Sequence, residues 1–179
     1  MRPTTLCFPV RSDGKLLLGR KKRGFGVSKW NGFGGKIEAG EDFLQCAVRE
    51  LQEETGLIAR EEDLELVGFL DFHFSASPEL NHIGFVYFLR TWQGNIQETE
   101  EMEPKWFDPA ALPYDEMWKG DRTWIPMLLK KEKVKGIIPL LKTTIRFSIW
   151  NCTAWIHEKN ENRPKMTGGH HVILGLFMA

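Results

Sequence analysis

Three glutamates stand close together in one short stretch of the chain, at Glu50, Glu53 and Glu54. At about 100° per residue, a helix would bring all three onto one face. Like charges at this spacing repel each other, and a helix C-terminus disfavours anions further, so folding alone gives no reason for the arrangement. Mg²⁺ is bound through oxygen, usually by one or two carboxylates together with water and substrate phosphates. The pattern therefore favours a metal site, although a bare acidic triplet is also typical of a solvated helix face.

The residues around the glutamates predict the helix that must position them. Four apolar residues recur at the spacing of one buried helical stripe, namely Leu44, Ala47, Val48 and Leu51. Gly56 stands where a helix commonly ends in a left-handed residue. On such a helix the glutamate face would lie about 120° round from the apolar stripe.

A single longer pattern contains the glutamates. It reads Gly-x5-Glu-x7-Arg-Glu-apolar-x-Glu-Glu-x-Gly-apolar, and its fixed residues are Gly35, Glu41, Arg49, Glu50, Glu53, Glu54 and Gly56. These identities, at a background of roughly 7% each, multiply to about 10⁻⁸ per window, so chance does not explain the match. The pattern is the Nudix box, and the chain resembles the Nudix hydrolases.

This resemblance implies an α+β fold in which a mixed β-sheet is sandwiched between helices. It also implies hydrolysis of a nucleoside diphosphate linked to a group X, with Mg²⁺ or alternatively Mn²⁺ as the cofactor. The implied metal ligands are Gly34 through its carbonyl, Glu50, Glu53, Glu54 and Glu101. Arg49 would orient a neighbouring glutamate, and the general base would be either a box glutamate or Glu101.

A more specific resemblance extends over residues 3–136, to the MutT-homologue oxidised purine nucleoside triphosphatases. It is carried by the segments Lys21–Gly26, Trp30–Lys36, Pro78–Leu80, Glu101–Met102, Trp106–Phe107 and Met117–Trp118. It implies cleavage of an oxidised purine nucleoside triphosphate to the monophosphate and pyrophosphate. The alternative is another Nudix substrate, such as an undamaged triphosphate, a dinucleoside polyphosphate or ADP-ribose. A protein of the same fold that binds a nucleotide or a partner without catalysis is disfavoured, because every box glutamate is present.

The same resemblance implies a substrate site. Asn31, Trp118 and Asp121 would meet the purine, with Phe72 and Met102 in the pocket wall. The remaining substrate-binding residues would be Thr5, Lys21, Phe33, Gly34, Gly35 and Lys36. Each aromatic residue has a plainer interpretation as core, and Asp121 has one as the N-cap of a helix in which Pro126 falls in the first turn.

The chain departs from this group at two places. Animal members carry two adjacent aspartates after the tryptophan motif, whereas this chain has Gly120 followed by Asp121. A pair of acids can share protons, so a lone Asp121 predicts a narrower substrate range. The closing strand pattern is also not recognisable after Gly136. We therefore expect a Nudix domain at residues 3–136 and a divergent segment at 137–179, with one further strand within 143–150 and then a flexible tail.

The composition of the chain limits the classes of partner that we expect. The formal net charge is zero, so no overall field draws the chain to nucleic acid polymers or to an anionic membrane. No stretch approaches the ~20 apolar residues that a membrane span needs, and residues 1–15 carry no signal-peptide pattern. The three cysteines fit no disulfide or zinc spacing. We expect a monomer in the cytoplasm, with nuclear or mitochondrial nucleotide pools as alternatives.

Hydrophobic patterns predict four strands before the acidic stretch that follows residue 97. They cover residues 4–10, 16–18, 64–75 and 82–92. The third has a two-residue period, which would place five residues on one face: Leu66, Gly68, Leu70, Phe72 and Phe74.

Overall fold

The computed structural model describes residues 2–74, 77–139 and 146–149. The strands are β1 (Arg2–Pro9), β2 (Leu16–Lys21), β3 (Trp30–Asn31), β4 (Leu64–His73), β5 (His82–Leu89), β6 (Met102–Phe107), β7 (Val134–Pro139) and β8 (Arg146–Ile149). The α-helices are α1 (Phe43–Thr55) and α2 (Asp121–Leu129), and single 3-10 turns lie at Glu61–Asp63, Pro78–Leu80, Pro109–Ala111 and Tyr114–Glu116.

The strands form two sheets. The larger has the order β1-β5-β4-β7-β8, in which β1 and β5 are parallel, β4 and β5 antiparallel, β4 and β7 parallel, and β7 and β8 antiparallel. The smaller sheet is antiparallel, with the order β3-β2-β6. The two helices pack into different core clusters, α2 through Trp124 and Leu128 and α1 through Leu51. The predicted α+β fold with a mixed sheet is confirmed.

Helix α1 ends where the sequence analysis predicted. Asp42 is its N-cap, and a reciprocal capping box with Gln45 satisfies the first backbone N–H groups. Gly56 ends the helix with φ of 74°, which is the left-handed region where a side chain would be strained. Ala47 and Leu51 are completely buried, so the apolar stripe anchors the helix and fixes which way its glutamates point.

The predicted alternation along β4 is wrong at one place. A β-bulge between Leu66 and Gly68 shifts the register with β5, since a bulge sets two residues against one on the partner strand. Val67, and not Leu66, is therefore the buried residue that joins the main core with Leu70. Beyond the bulge the alternation resumes towards Phe72.

Two expectations about α2 are also wrong. Asp121 is the first residue of the helix, and the N-cap position belongs to Gly120. Pro126 is the sixth helical residue and so lies beyond the first turn. Its carbonyl still accepts a hydrogen bond from the Lys130 amide at 3.2 Å.

The large sheet continues past residue 136. Strand β7 pairs with β4 as far as Pro139, and Ile138 lies opposite Phe72. Strand β8 falls within the predicted range 143–150, whereas the expected tail lies outside the described residues. The boundary at residue 136 stays a prediction. In the part of the chain that the structure describes, no helix is long and apolar enough to cross a membrane.

Candidate active site

The glycine-rich loop before α1 lies directly against β1. Gly34 has φ of 154°, and a Cβ there would stand 2.1 Å from the Thr5 carbonyl oxygen. The Thr5 amide donates to the Gly35 carbonyl at 2.9 Å, which ties the loop to the strand. Only glycine fits at residue 34, and the close approach turns the Gly34 amide towards α1.

The box helix supplies the carboxylate that meets this loop. The Gly34 amide donates to Glu54 Oε2 at 2.9 Å, and Glu54 is 3% exposed. Glu50 lies beside Gly35, where an added Cβ would be 2.3 Å from Glu50 Oε1. The loop glycines are therefore what allows the two glutamates to reach the backbone.

Arg49 gathers three carboxylates around one guanidinium. Its Nε and one terminal nitrogen donate to Glu41 at 2.7 and 3.0 Å, and the other terminal nitrogen donates to Glu50 at 2.9 Å and to Glu53 at 3.2 Å. It also donates to the Lys36 carbonyl at 3.3 Å. Three glutamate side chains and one backbone carbonyl therefore accept the hydrogen bonds of Arg49, and its role as a positioning residue stays a prediction.

Lys21 pairs with carboxylates from two different elements. Its ammonium stands 3.6 Å from Glu54 Oε1 and donates a hydrogen bond to Glu101. Arg23 adds a second cation 3.6 Å from Glu101. Lys21 therefore joins α1 to the segment before β6 and brings Glu101 close to Glu54.

Burial and nearby charges shift the pKa values of these carboxylates in different directions. Burial raises the pKa of Glu54 to about 7, and the negative charges of Glu50 and Glu101 add to this effect, while Lys21 and the Gly34 amide oppose it. Burial also raises the pKa of Glu50. The hydrogen bond from Lys21 lowers the pKa of Glu101, which makes Glu101 a weaker base than Glu54.

The donor chemistry suits a hard divalent cation. Carboxylate oxygens are the ligands that Mg²⁺ prefers, and the charge of Glu101 is near enough to raise the pKa values of both Glu50 and Glu54. Among residues 2–74, 77–139 and 146–149, no three His, Cys, Asp or Glu side chains stand together at metal-binding geometry. Arg49 and Lys21 already occupy these carboxylates, so the repulsion that the sequence implied is relieved within the protein itself.

An aromatic group surrounds Trp118. Phe25 stacks on the indole with ring centroids 5.1 Å apart and planes 22° apart, and Phe74 meets it edge-on at 6.2 Å. Phe25 is 53% exposed and lies between Gly24 and Gly26, which both have positive φ. The sequence analysis did not select Phe25, although an aromatic residue between two glycines in a basic loop was the available signal.

Asp121 is buried beside this aromatic group. Its carboxylate accepts from the Trp118 amide and from the Trp124 indole N–H, each at 3.0 Å. Burial raises the pKa of Asp121 to about 7. A Cβ at Gly120 would stand 2.6 Å from the Ile138 side chain, so packing, and not backbone conformation, excludes a side chain there.

The other predicted substrate residues lie in several different environments. Phe33 and Met102 are 0% and 3% exposed within the second core cluster, so the structure does not bring their side chains to a pocket surface. Phe72 stacks on His82 at 4.8 Å. The buried Thr5 hydroxyl lies 3.3 Å from Cys46 Sγ. The Asn31 side chain accepts from the Gly32 amide at 2.9 Å, and Lys36 is exposed.

Known proteins resemble this chain in sequence and in fold. The family profile of the NUDIX domain matches residues 1–128. A Danio rerio protein named oxidized purine nucleoside triphosphate hydrolase is 42% identical over 71% of this chain and 80% of its own length. The Mus musculus protein of the same name is 43% identical over 68% of this chain and 76% of its own.

The fold agreement extends further along the chain. The crystal structure of a mutator MutT protein from Bacillus halodurans covers 83% of this chain and 98% of its own, with a TM-score of 0.70 at 23% identity. The box pattern, the mixed sheet with its two helices and the profile match all lead to one conclusion. The chain belongs to the Nudix family.

Proposed function

We propose that this protein hydrolyses oxidised purine nucleoside triphosphates to the monophosphate and pyrophosphate, and so removes damaged precursors from the nucleotide pool. The observation that carries the proposal is the 42–43% identity to two vertebrate proteins named for that activity. The aromatic group at Trp118 supports it, because purine rings stack well on aromatic side chains.

The metal ligands that we propose are the carboxylates gathered by Arg49 and Lys21. Glu50, Glu53, Glu54 and Glu101 would hold Mg²⁺, or Mn²⁺ in its place, with the Gly34 carbonyl assisting. When bound, the cation supplies charge neutralisation at the phosphates and lowers the pKa of a bound water.

The chain's own residues then perform the positioning. Arg49 holds Glu50 and Glu53 through hydrogen bonds of 2.9 and 3.2 Å, and the Gly34 amide holds Glu54 at 2.9 Å. Lys21 brings a positive charge to the same place, where it can neutralise substrate phosphate. A box glutamate or Glu101 accepts the proton of the attacking water. Fixed geometry of this kind lowers the entropic part of the barrier.

For the purine end, we propose that Trp118 provides a stacking surface and that Asp121 and Asn31 meet the ring edges, with Phe72 in the wall. Asp121 hydrogen-bonds to the Trp118 amide, so it fixes the backbone of the stacking residue as well. We further propose that the protein is a monomer that acts on the cytoplasmic pool. Sedimentation analysis of the purified protein would test the oligomeric state.

A nucleotide panel tests the function, with all products separated by chromatography, because ADP-ribose and dinucleoside polyphosphates are cleaved without releasing pyrophosphate. It should include oxidised guanine and adenine triphosphates, their undamaged counterparts, a dinucleoside polyphosphate and ADP-ribose, each with Mg²⁺ and with chelator. We expect pyrophosphate release to be fastest for an oxidised purine triphosphate and to stop with chelator. Faster turnover of ADP-ribose or of an undamaged triphosphate would favour the alternative Nudix activity.

A further inference from the structure

The Lys21 ammonium contacts two of the carboxylates that we propose as metal ligands. Lys21 is the last residue of β2, and its ammonium contacts Glu54 of α1 at 3.6 Å and hydrogen-bonds Glu101 before β6. The Lys21 side chain is only 22% exposed and that of Glu54 is 4% exposed. The contact between Lys21 and Glu54 is therefore screened weakly by water, whereas the Glu101 side chain is 39% exposed.

Lys21 and Arg49 divide the surrounding carboxylates between them. Arg49 pairs with Glu41, Glu50 and Glu53, whereas Lys21 pairs with Glu54 and Glu101. Arg49 is bidentate on Glu41, which fixes it firmly. Lys21 is a single ammonium on a flexible stem, and such a group exchanges partners easily.

We propose that Lys21 is an internal counter-ion that holds Glu54 and Glu101 in the metal-free protein and that it is released towards substrate phosphate when a divalent cation takes those carboxylates. The ammonium and the cation compete for the same oxygens, so the resting protein keeps its acidic cluster together without metal. The release gives Lys21 a new anionic partner only when metal is present, which couples metal binding to phosphate binding. This inference rests on the metal dependence of the proposed function.

Mn²⁺ binding without nucleotide tests the competition. Free Mn²⁺ is measured by electron paramagnetic resonance in titrations of the wild type, Lys21→Met, Lys21→Arg and Lys22→Met. Lys22 is the matched control, because it is the neighbouring cation but pairs with Glu98 at 2.9 Å and not with the box glutamates. We expect Lys21→Met to bind Mn²⁺ about tenfold more tightly, on the scale of one partly buried ion pair, and Lys21→Arg and Lys22→Met to resemble the wild type.

Thermal melting of the same proteins supplies a second readout. Without metal, Lys21→Met should melt below the wild type because Glu54 loses a cation, and Mn²⁺ should raise its melting temperature more than it raises that of the wild type. If Lys21→Met does not fold, Lys21→Gln takes its place, since its amide can still donate to a carboxylate without carrying charge.

The outcomes separate the two proposals. Equal or weaker Mn²⁺ binding by Lys21→Met would overturn the counter-ion role, and so would an equal gain in Lys22→Met, which would indicate a general field effect. Absence of Mn²⁺ binding in the wild type and in every variant would instead contradict the metal-dependent function.

Discussion

Replacing Glu54 with glutamine should stabilise the metal-free protein in a pH-dependent way. The pKa of Glu54 rises from 4.5 to about 7 because the carboxyl is buried. The folded state therefore binds this proton more tightly than the unfolded state, and stability contributed by the group falls as pH rises from about 4.5 to about 7. Glutamine is never ionised, so Glu54→Gln escapes that loss.

The magnitude follows from the size of the pKa shift. Each unit corresponds to about 1.4 kcal/mol, and the unfolded carboxyl is already partly ionised at pH 5. The free energy of unfolding of Glu54→Gln should therefore gain about 2–3 kcal/mol on the wild type between pH 5 and pH 8. The glutamine oxygen can still accept from the Gly34 amide, so the hydrogen bond to the loop is kept.

Urea unfolding in the presence of chelator, at both pH values, measures this difference. Glu53→Gln is the matched control, because the Glu53 side chain is 59% exposed and carries little desolvation cost. Saturating Mg²⁺ should cancel the advantage of Glu54→Gln, since the wild type then gains the binding free energy of its ligand. If the difference between Glu54→Gln and the wild type is the same at pH 5 and pH 8, the buried carboxyl does not titrate as described.

Three further predictions concern activity and packing. Glu53→Gln should reduce kcat by about 100-fold or more with an unchanged melting temperature; near-wild-type turnover would contradict its metal role. Gly120→Asp should lower the free energy of unfolding by about 1–3 kcal/mol through its clash with Ile138, and adding Ile138→Ala should recover part of the loss. An identical substrate profile for Gly120→Asp and the wild type would refute the narrower range inferred from a lone Asp121. Trp118→Ala should raise KM about tenfold or more, as expected for one lost stacking contact, and an unchanged KM in the nucleotide panel would remove Trp118 from the purine site.

Sequence reasoning succeeded where local rules determine the structure. The apolar stripe and Gly56 were sufficient for α1, and the glutamate face followed from helix geometry. Only one of the two cations that balance this face could be read from local spacing. Arg49 is a neighbour along the helix, but Lys21 approaches from β2 and meets Glu54 only because of tertiary packing.

The errors have the same physical origin. A bulge at Val67 depends on how β4 registers with β5, and no two-residue period shows it. Aspartate is a common N-cap residue, but here the Asp121 carboxylate accepts a hydrogen bond from the buried Trp124 indole instead. Phe33 and Met102 also lie in a core cluster, and their predicted contact with substrate stays a prediction.

The pairing of β7 with β4 bears on where this domain can be cut. The profile match stops at residue 128, yet Val134 and Ile138 are fully buried beyond it. A chain shortened to the matched region would leave β4 as an open edge strand, with unpaired backbone groups and a newly wetted apolar surface. Such edges recruit other strands, so the truncated protein would tend to self-associate before its catalysis could be measured.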